Sequence, residues 1–190
     1  MRLFVAIPLP ADARAVIRKF GQDHEAALPQ WRWIRPDQLH VTLKLIGEVD
    51  DVTADGAKKA LASVHAGEPF ALRFAGLLRI PAGRNARVLA CKLGGEIERL
   101  QEIQGAVEAA FARKGFATEE RGFLPHVTIA RRQKDAPAVA TLKPPGPELR
   151  PPDKWFIIAS IRLVRSNLQS AGAEYETLLD IPLVDPLTLR

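Results

Sequence analysis

Two short stretches of the sequence pair a histidine with a threonine two positions later. They begin at His40 and His126, read HVTL and HVTI, and lie 86 positions apart. In a β-strand, residues i and i+2 point to the same face, so His40 with Thr42, and His126 with Thr128, each present an imidazole and a hydroxyl together. Burying such groups is unfavourable unless they are hydrogen-bonded, so their place within apolar runs indicates a role.

Two imidazoles on either side of one substrate atom could cleave a phosphodiester without a metal ion. A neutral imidazole takes a proton from the attacking nucleophile and an imidazolium protonates the leaving oxygen, since a pKa near 6.5 lets both forms coexist near neutral pH. The hydroxyls and nearby arginines can hold the non-bridging oxygens. Because the two stretches are equivalent at this level, the residues alone leave open which histidine donates the proton.

The same residues allow other interpretations. A single histidine on a half-buried strand is usually a satisfied core or surface group, but the matched pair favours chemistry. A zinc site is disfavoured, because each stretch supplies one nitrogen and no suitable carboxylate lies beside it. Cys91 could be a nucleophile, but its LACKL setting is typical of a strand interior, where cysteine acts as a small hydrophobe. An RNA-binding protein without turnover also stays open.

The composition indicates an ordinary globular protein with an anionic partner. The 190 residues suit one domain or one with two lobes, 47% are apolar and 26% are charged. The net charge of +5 favours a partner such as nucleic acid. The single cysteine excludes an internal disulfide and a multi-thiolate metal centre. The N-terminal apolar run is too short for a signal peptide and no stretch is long enough for a membrane span, so we expect a soluble cytoplasmic protein.

The hydrophobic pattern favours an α+β fold with largely antiparallel sheet. It predicts strands over 2–8, 70–78, 86–93, 123–132, 155–164 and 175–183. It predicts helices over 12–20, with Gly21 as a stop, around 57–64, and over 96–114. Both histidine stretches follow a strand–helix unit, which indicates two similar halves. A proline-rich segment, 133–153, is expected to be a loop.

With these residues in place, the chain resembles the 2H phosphoesterase superfamily, which is named for two His-x-Thr/Ser-x motifs. Within it, the chain is most similar to the RNA 2',3'-cyclic phosphodiesterases, also called 2'-5' RNA ligases. The resemblance runs nearly end to end. It is carried by RLFVAIPLP at 2–10, RWIRPDQLHVTLKLIGEV at 32–49, ARVLACKL at 86–93, RGFLPHVTIAR at 121–131 and SNLQSAGAEYETL at 166–178.

The resemblance implies a fold and an activity. The fold would be two pseudo-symmetric lobes of largely antiparallel sheet with helices outside, around a central groove, in one domain over 1–190. The activity would be metal-independent hydrolysis of RNA 2',3'-cyclic phosphate ends to 2'-phosphates. The alternatives are reversible 2'-5' end joining and RNA binding without turnover. The expected partner is such an RNA end or a small cyclic nucleotide, with no cofactor, no metal, no membrane and a monomeric chain.

The resemblance also assigns the site residues. His40 would be the proton donor and His126 the acceptor that activates water, with Thr42, Thr128 and Arg131 holding the phosphate. In a flat strand Arg131 is out of phase with His126, so its pointing into the groove requires a twist, a bulge or the end of the strand.

Three further side chains could contact RNA. Lys44 has the parity of His40 and could help to anchor RNA, although an exposed lysine at the end of a strand needs no such role. Trp31 and Trp33 could stack on bases, but tryptophans near a strand are more often core residues.

Overall fold

The computed structural model describes residues 1–82, 85–133, 149, 151, 153–169 and 172–184. Within these ranges the strands are β1 Arg2–Pro8, β2 Trp31–Trp33, β3 His40–Glu48, β4 Phe70–Ile80, β5 Val88–Gly95, β6 His126–Arg132, β7 Trp155–Ile158, β8 Ser160–Gln169 and β9 Gly172–Pro182. The helices are α1 Ala11–His24, α2 Asp51–Ala62 and α3 Ile97–Ala112, with a short 3₁₀ helix at Pro36–Gln38.

The strands form two sheets with related strand arrangements. The first has the order β3-β1-β8-β9 and the second β2-β6-β5-β4-β7. Every strand pair in the described part of the chain is antiparallel. In both sheets the strand that begins with a histidine, β3 or β6, lies beside the strand that leads into a helix, β1 or β5. The expected α+β class with two related antiparallel halves is therefore confirmed.

Helices α1 and α3 pack across onto the sheet of the other half, whereas α2 contacts β8 and β9 of the sheet that it follows. Helix α1 follows β1 of the first sheet but contacts β7 of the second, and α3 follows β5 of the second sheet but contacts β3 of the first. The apolar stripe predicted for α3 is buried in one cluster that also contains residues of both sheets. Its buried residues are Leu100, Ile103, Val107, Ala110 and Phe111. The crossed helices therefore fix the two sheets relative to each other.

The prediction that Gly21 ends the first helix was wrong, because α1 continues to His24. A Cβ at Gly21 would lie 3.2 Å from the indole ring of Trp33 on β2. Glycine therefore lets the helix approach the tryptophan closely here, and it does not mark a turn. A local pattern cannot distinguish these two reasons for a glycine, because the second depends on tertiary contact.

The single strand predicted over 155–164 is two strands that belong to different sheets. β7 ends at Ile158, β8 begins at Ser160, and the carbonyl of Ala159 between them accepts a hydrogen bond from the Leu183 amide at 2.8 Å. The run WFIIASIRLV contains no glycine or proline that would mark the crossing. Most of the segment 133–153 predicted as a loop lies outside the described residues.

Both histidine strands contain a β-bulge at the same place. In β3, Leu43 is an extra residue that has no cross-strand partner on β1. In β6, Ile129 is the extra residue and has no partner on β5. A bulge lets two consecutive side chains face the same side, and residues 43 and 44, like 129 and 130, are buried. The fifth residue after each histidine, Leu45 or Arg131, therefore returns to the face that carries the histidine.

The bulge in β3 turns Lys44 into the protein, so the expectation that it helps to anchor RNA was wrong. Lys44 is only 4% exposed. Its Nζ donates to Glu108 Oε2 at 2.7 Å and to the Ala117 carbonyl at 2.7 Å. Because Glu108 lies on α3, this ion pair joins β3 to the helix that comes from the other half.

We expect Lys44→Met to lower the free energy of unfolding by about 3 kcal/mol, because removing one partner of a buried pair leaves the other without compensation. Urea unfolding followed by circular dichroism measures the change. Replacing both partners, as in Lys44→Met with Glu108→Leu, should recover much of the loss. Lys58→Met, which breaks an exposed pair with Asp55, is the control and should change stability by less than about 0.5 kcal/mol. An equally small effect of Lys44→Met would contradict the structural role given to this pair.

Candidate active site

The two histidine strands lie against each other although they belong to different sheets. The space between the faces that carry His40 and His126 is called the groove below. On the first sheet, the cross-strand partners Pro8–His40 and Ala6–Thr42 place the outer face of β1 on the groove side. Here Phe4, Ala6 and Val164 form a small apolar cluster, separate from the main core. This cluster supports the His40 side of the groove.

Both imidazoles are held by the same backbone hydrogen bond. His40 Nδ1 lies 2.6 Å from the carbonyl oxygen of Gln38, and His126 Nδ1 lies 2.7 Å from that of Leu124. A carbonyl oxygen can only accept, so Nδ1 carries the proton and donates in each case. In the neutral form Nε2 is then the free base, and in the charged form it is the acid. Each ring therefore has its Nε2 available for proton transfer.

The two threonines share the faces of their histidines. Thr42 Oγ1 lies 3.1 Å from His40 Nε2, and because this nitrogen is unprotonated in the neutral ring, the hydroxyl donates to it. Thr128 follows His126 by two residues in β6, is half-buried, and pairs across with Ala90 of β5. The structure thus puts each of the two pairs expected from the sequence on one strand face.

The electrostatic setting brings His40, His126 and Arg131 into one neighbourhood. Burial lowers the pKa of His40 below its usual 6.5, the Gln38 carbonyl raises it, and the nearby charges of Arg131 and His126 lower it further. The net effect is a lowered pKa, so the ring is mainly neutral at pH 7 in the free protein. The effects of Arg131 and His126 act across the groove, from β6 onto His40 of β3.

Arg131 reaches this neighbourhood because of the bulge at Ile129. Thr128 pairs with Ala90, Ala130 pairs with Leu89, and Ile129 between them has no partner on β5. Arg131 is exposed, in contrast to the two buried residues before it. Among the described residues no carboxylate pairs with it, so its guanidinium is free to bind an anion.

Two aromatic rings that the sequence analysis did not single out lie against His40. The ring centroid of Phe4 is 4.9 Å and that of Tyr175 5.6 Å from the imidazole centroid, and the two aromatic centroids are 5.1 Å apart. Burial raises the pKa of the Tyr175 hydroxyl, against the opposing effect of Arg131 and Arg2. Tyr175 comes from β9 and Phe4 from β1, so only the order of strands in the sheet could have revealed this contact.

Both tryptophans of β2 pack against the core, Trp31 fully buried and Trp33 half-buried, so their interpretation as core residues is confirmed for Trp31 and in part for Trp33. Trp31 is 3% exposed, and Trp33 packs on Phe20 and Gly21 of α1. Arg32 between them is exposed and pairs across with Arg131 of β6. The residue of this triplet that faces the groove is therefore the arginine.

Cys91 and the distribution of metal ligands do not support the other interpretations. Cys91 is fully buried in the core, and burial raises the pKa of its thiol far above the usual range, so it is neither accessible nor ionised. In the part of the chain that the structure describes, no three His, Cys, Asp or Glu side chains come together as metal ligands would.

No described helix is long and apolar enough to cross a membrane.

The family model of the 2'-5' RNA ligase superfamily matches residues 7–169. The chain belongs to this superfamily. The match spans both histidine stretches, and it confirms the resemblance that these stretches indicated.

Named relatives and a solved structure agree with this membership. The chain is 32% identical over 95% of its length to an RNA 2',3'-cyclic phosphodiesterase of Geobacillus stearothermophilus, but it spans only 57% of that longer protein. It is 32% identical over 78% of its length to an RNA 2',3'-cyclic phosphodiesterase of Aeropyrum pernix and covers 84% of that protein. The crystal structure of TT0787 of Thermus thermophilus superposes with a TM-score of 0.77 at 26% identity, covering 98% of this chain and 100% of that one.

The electrostatic analysis predicts the titration of His40. Its pKa should lie below 6.5 in the free protein, and Arg131→Met should raise it, because removing the guanidinium charge makes the imidazolium less unfavourable. Histidine resonances followed by NMR across pH, assigned with His40→Asn, measure both values. Arg113→Met, at an exposed residue just after α3, is the control and should leave the value unchanged. A His40 pKa above 6.5, or one that does not move in Arg131→Met, would contradict the analysis.

Proposed function

We propose that this protein hydrolyses RNA 2',3'-cyclic phosphate ends to 2'-phosphates by general acid–base catalysis with His40 and His126, without a metal ion. The observation that carries the proposal is the matched setting of the two rings. Each donates Nδ1–H to the carbonyl two residues earlier, which leaves Nε2 as the nitrogen for proton transfer, and each shares its strand face with a threonine. In the free protein, Nε2 of His40 accepts a hydrogen bond from Thr42. Membership in the superfamily and the activity named for the relatives support the same reaction.

The reaction needs one proton acceptor and one proton donor. Nε2 of His126 takes a proton from water, whose oxygen attacks phosphorus. The bond from phosphorus to O3' breaks as Nε2 of His40 gives its proton to O3'. The products are a 2'-phosphate and a free 3'-hydroxyl, and the two histidines then exchange protons with solvent before the next turnover.

The choice of His40 as the donor follows from where the nucleoside would lie. The leaving oxygen O3' stays attached to the ribose, so the nucleoside must be on the side of the proton donor. Tyr175 stands on the His40 side, is 39% exposed and can offer ring surface to a ribose or base, with the buried ring of Phe4 behind it. The lowered pKa makes His40 a stronger acid than an ordinary imidazolium once it is protonated, and the bound phosphodiester anion favours its charged form.

Thr42, Thr128 and Arg131 are proposed to hold the non-bridging oxygens. As water attacks, negative charge builds up on these oxygens, and donors that are already in place stabilise it without further rearrangement. Thr42 can turn from His40 Nε2 to the phosphate when the substrate binds, since a hydroxyl rotates freely about its C–O bond. Arg131 supplies a charge-assisted donor.

The same step with a 5'-hydroxyl of RNA in place of water would give a 2'-5' linkage, which is the reversible end joining named in the sequence analysis.

Three further expectations stay predictions from the sequence: a monomeric chain, one domain over 1–190 and a cytoplasmic location.

The test is incubation with adenosine 2',3'-cyclic phosphate in excess EDTA. The expected product is adenosine 2'-phosphate, separated from the 3' isomer by chromatography. His40→Ala and His126→Ala should each lower turnover by about two to four orders of magnitude, because each removes a positioned proton-transfer group. His65→Ala, at an exposed histidine outside both motifs, is the control. Loss of activity on chelation, full activity in both variants, or binding without product would each overturn the proposal, and the last would favour the RNA-binding alternative.

A further inference from the structure

A pocket beside the groove collects three arginines. Its lining includes Arg32 from β2, Arg35 from the segment before the 3₁₀ helix and Arg131 from β6, together with Gln38 and Tyr175. The side-chain amide of Gln38 donates to the backbone carbonyl of Ala173 on β9, which closes the wall between the 3₁₀ helix and the first sheet. The pocket is therefore built from both sheets and from the segment that joins β2 to β3.

The arrangement of charges in this pocket is unfavourable unless an anion binds. Arg32 lies directly across from Arg131 in the β2–β6 pair, where like charges destabilise a sheet. In the described ranges neither arginine has a carboxylate partner. Arg35 pairs with the exposed Asp37 at 3.1 Å, so its charge is only partly compensated. Two uncompensated guanidiniums on one wall suit a phosphate, which accepts several hydrogen bonds from such forks.

The pocket lies next to the place proposed for the reacting phosphate. Arg131 lines the pocket and its charge acts on His40, and the ring of Tyr175, which also lines the pocket, lies 5.6 Å from the His40 ring. If the nucleoside occupies the His40 side, its ribose stands between the reacting phosphate and this pocket. The next phosphate of the RNA strand is attached to O5' of that ribose.

We propose that Arg32, with Arg35 in support, binds the 5'-phosphate of the terminal nucleotide, which in RNA joins it to the preceding one. This inference rests on the proposed function, and it names the substrate as a strand end that carries a phosphate on both sides of the last ribose. A contact with phosphate carries no base information, so the subsite positions any RNA end without selecting its sequence.

The test compares adenosine 2',3'-cyclic phosphate with its 5'-phosphorylated form, which differ only in the group that the pocket would bind. In the native protein, kcat/KM should be about tenfold or more higher for the 5'-phosphorylated substrate, mainly through a lower KM. Arg32→Ala should bring the ratio of the two kcat/KM values close to one, and Arg35→Ala should lower it less. Because the ratio compares two substrates of one variant, a general loss of folding or activity does not change it.

Arg113→Ala is the matched control, since it removes an exposed arginine next to α3 and should keep the native ratio. A native ratio near one, or an Arg32→Ala ratio equal to the native one, would overturn the subsite. Calorimetry with adenosine 2',5'-bisphosphate and adenosine 2'-phosphate gives the same comparison without turnover. If neither cyclic substrate is hydrolysed, the proposed function fails, and the subsite is then judged by the affinity ratio of these two ligands in the native protein and in Arg32→Ala.

Discussion

The hydrogen bond from each imidazole Nδ1 to the carbonyl two residues earlier is the constraint on which the site depends. It fixes the tautomer, so that Nε2 and not Nδ1 is left for the substrate. It also fixes the ring relative to the first residues of β3 and β6, which the two sheets hold in place. The two nitrogens to which we assign proton transfer are thus positioned by backbone geometry, and the crossed packing of α1 and α3 holds the two strands relative to each other.

Within this symmetric frame, a few side chains make the two histidines different. The fifth residue after His126 is Arg131, whose charge acts on His40, whereas the fifth residue after His40 is Leu45, which is 64% exposed. His40 pairs across with Pro8, and His126 with Lys92. The equivalent bulges bring these unlike residues to equivalent positions. The fold thus supplies two similar half-sites, and the residues that differ between them are the basis on which we assign His40 as donor and His126 as acceptor.

The sequence predicted the features that depend on local pattern. The apolar strand β1, the stripe of α3 and the shared face of His40 with Thr42 follow from periodicity, because neighbours along one element determine them. The features that it missed depend on residues distant in the chain. The contact of Tyr175 with His40, the burial of Lys44 against Glu108 and the fit of Gly21 to Trp33 all require the tertiary structure. The bulge at Ile129 could be predicted only in part. Because Arg131 is out of phase with His126 in a flat strand, the sequence shows that an irregularity is needed, but it does not show where the irregularity lies.

The most direct test of this account is a crystal structure of the protein with adenosine 2'-phosphate. We expect Nε2 of His40 and Nε2 of His126 to lie on opposite sides of one phosphate, each within about 2.6–3.2 Å of an oxygen of the ligand. The ribose O3' should be on the His40 side. A phosphate bound to one histidine only, with the other Nε2 directed away from it, would contradict the account.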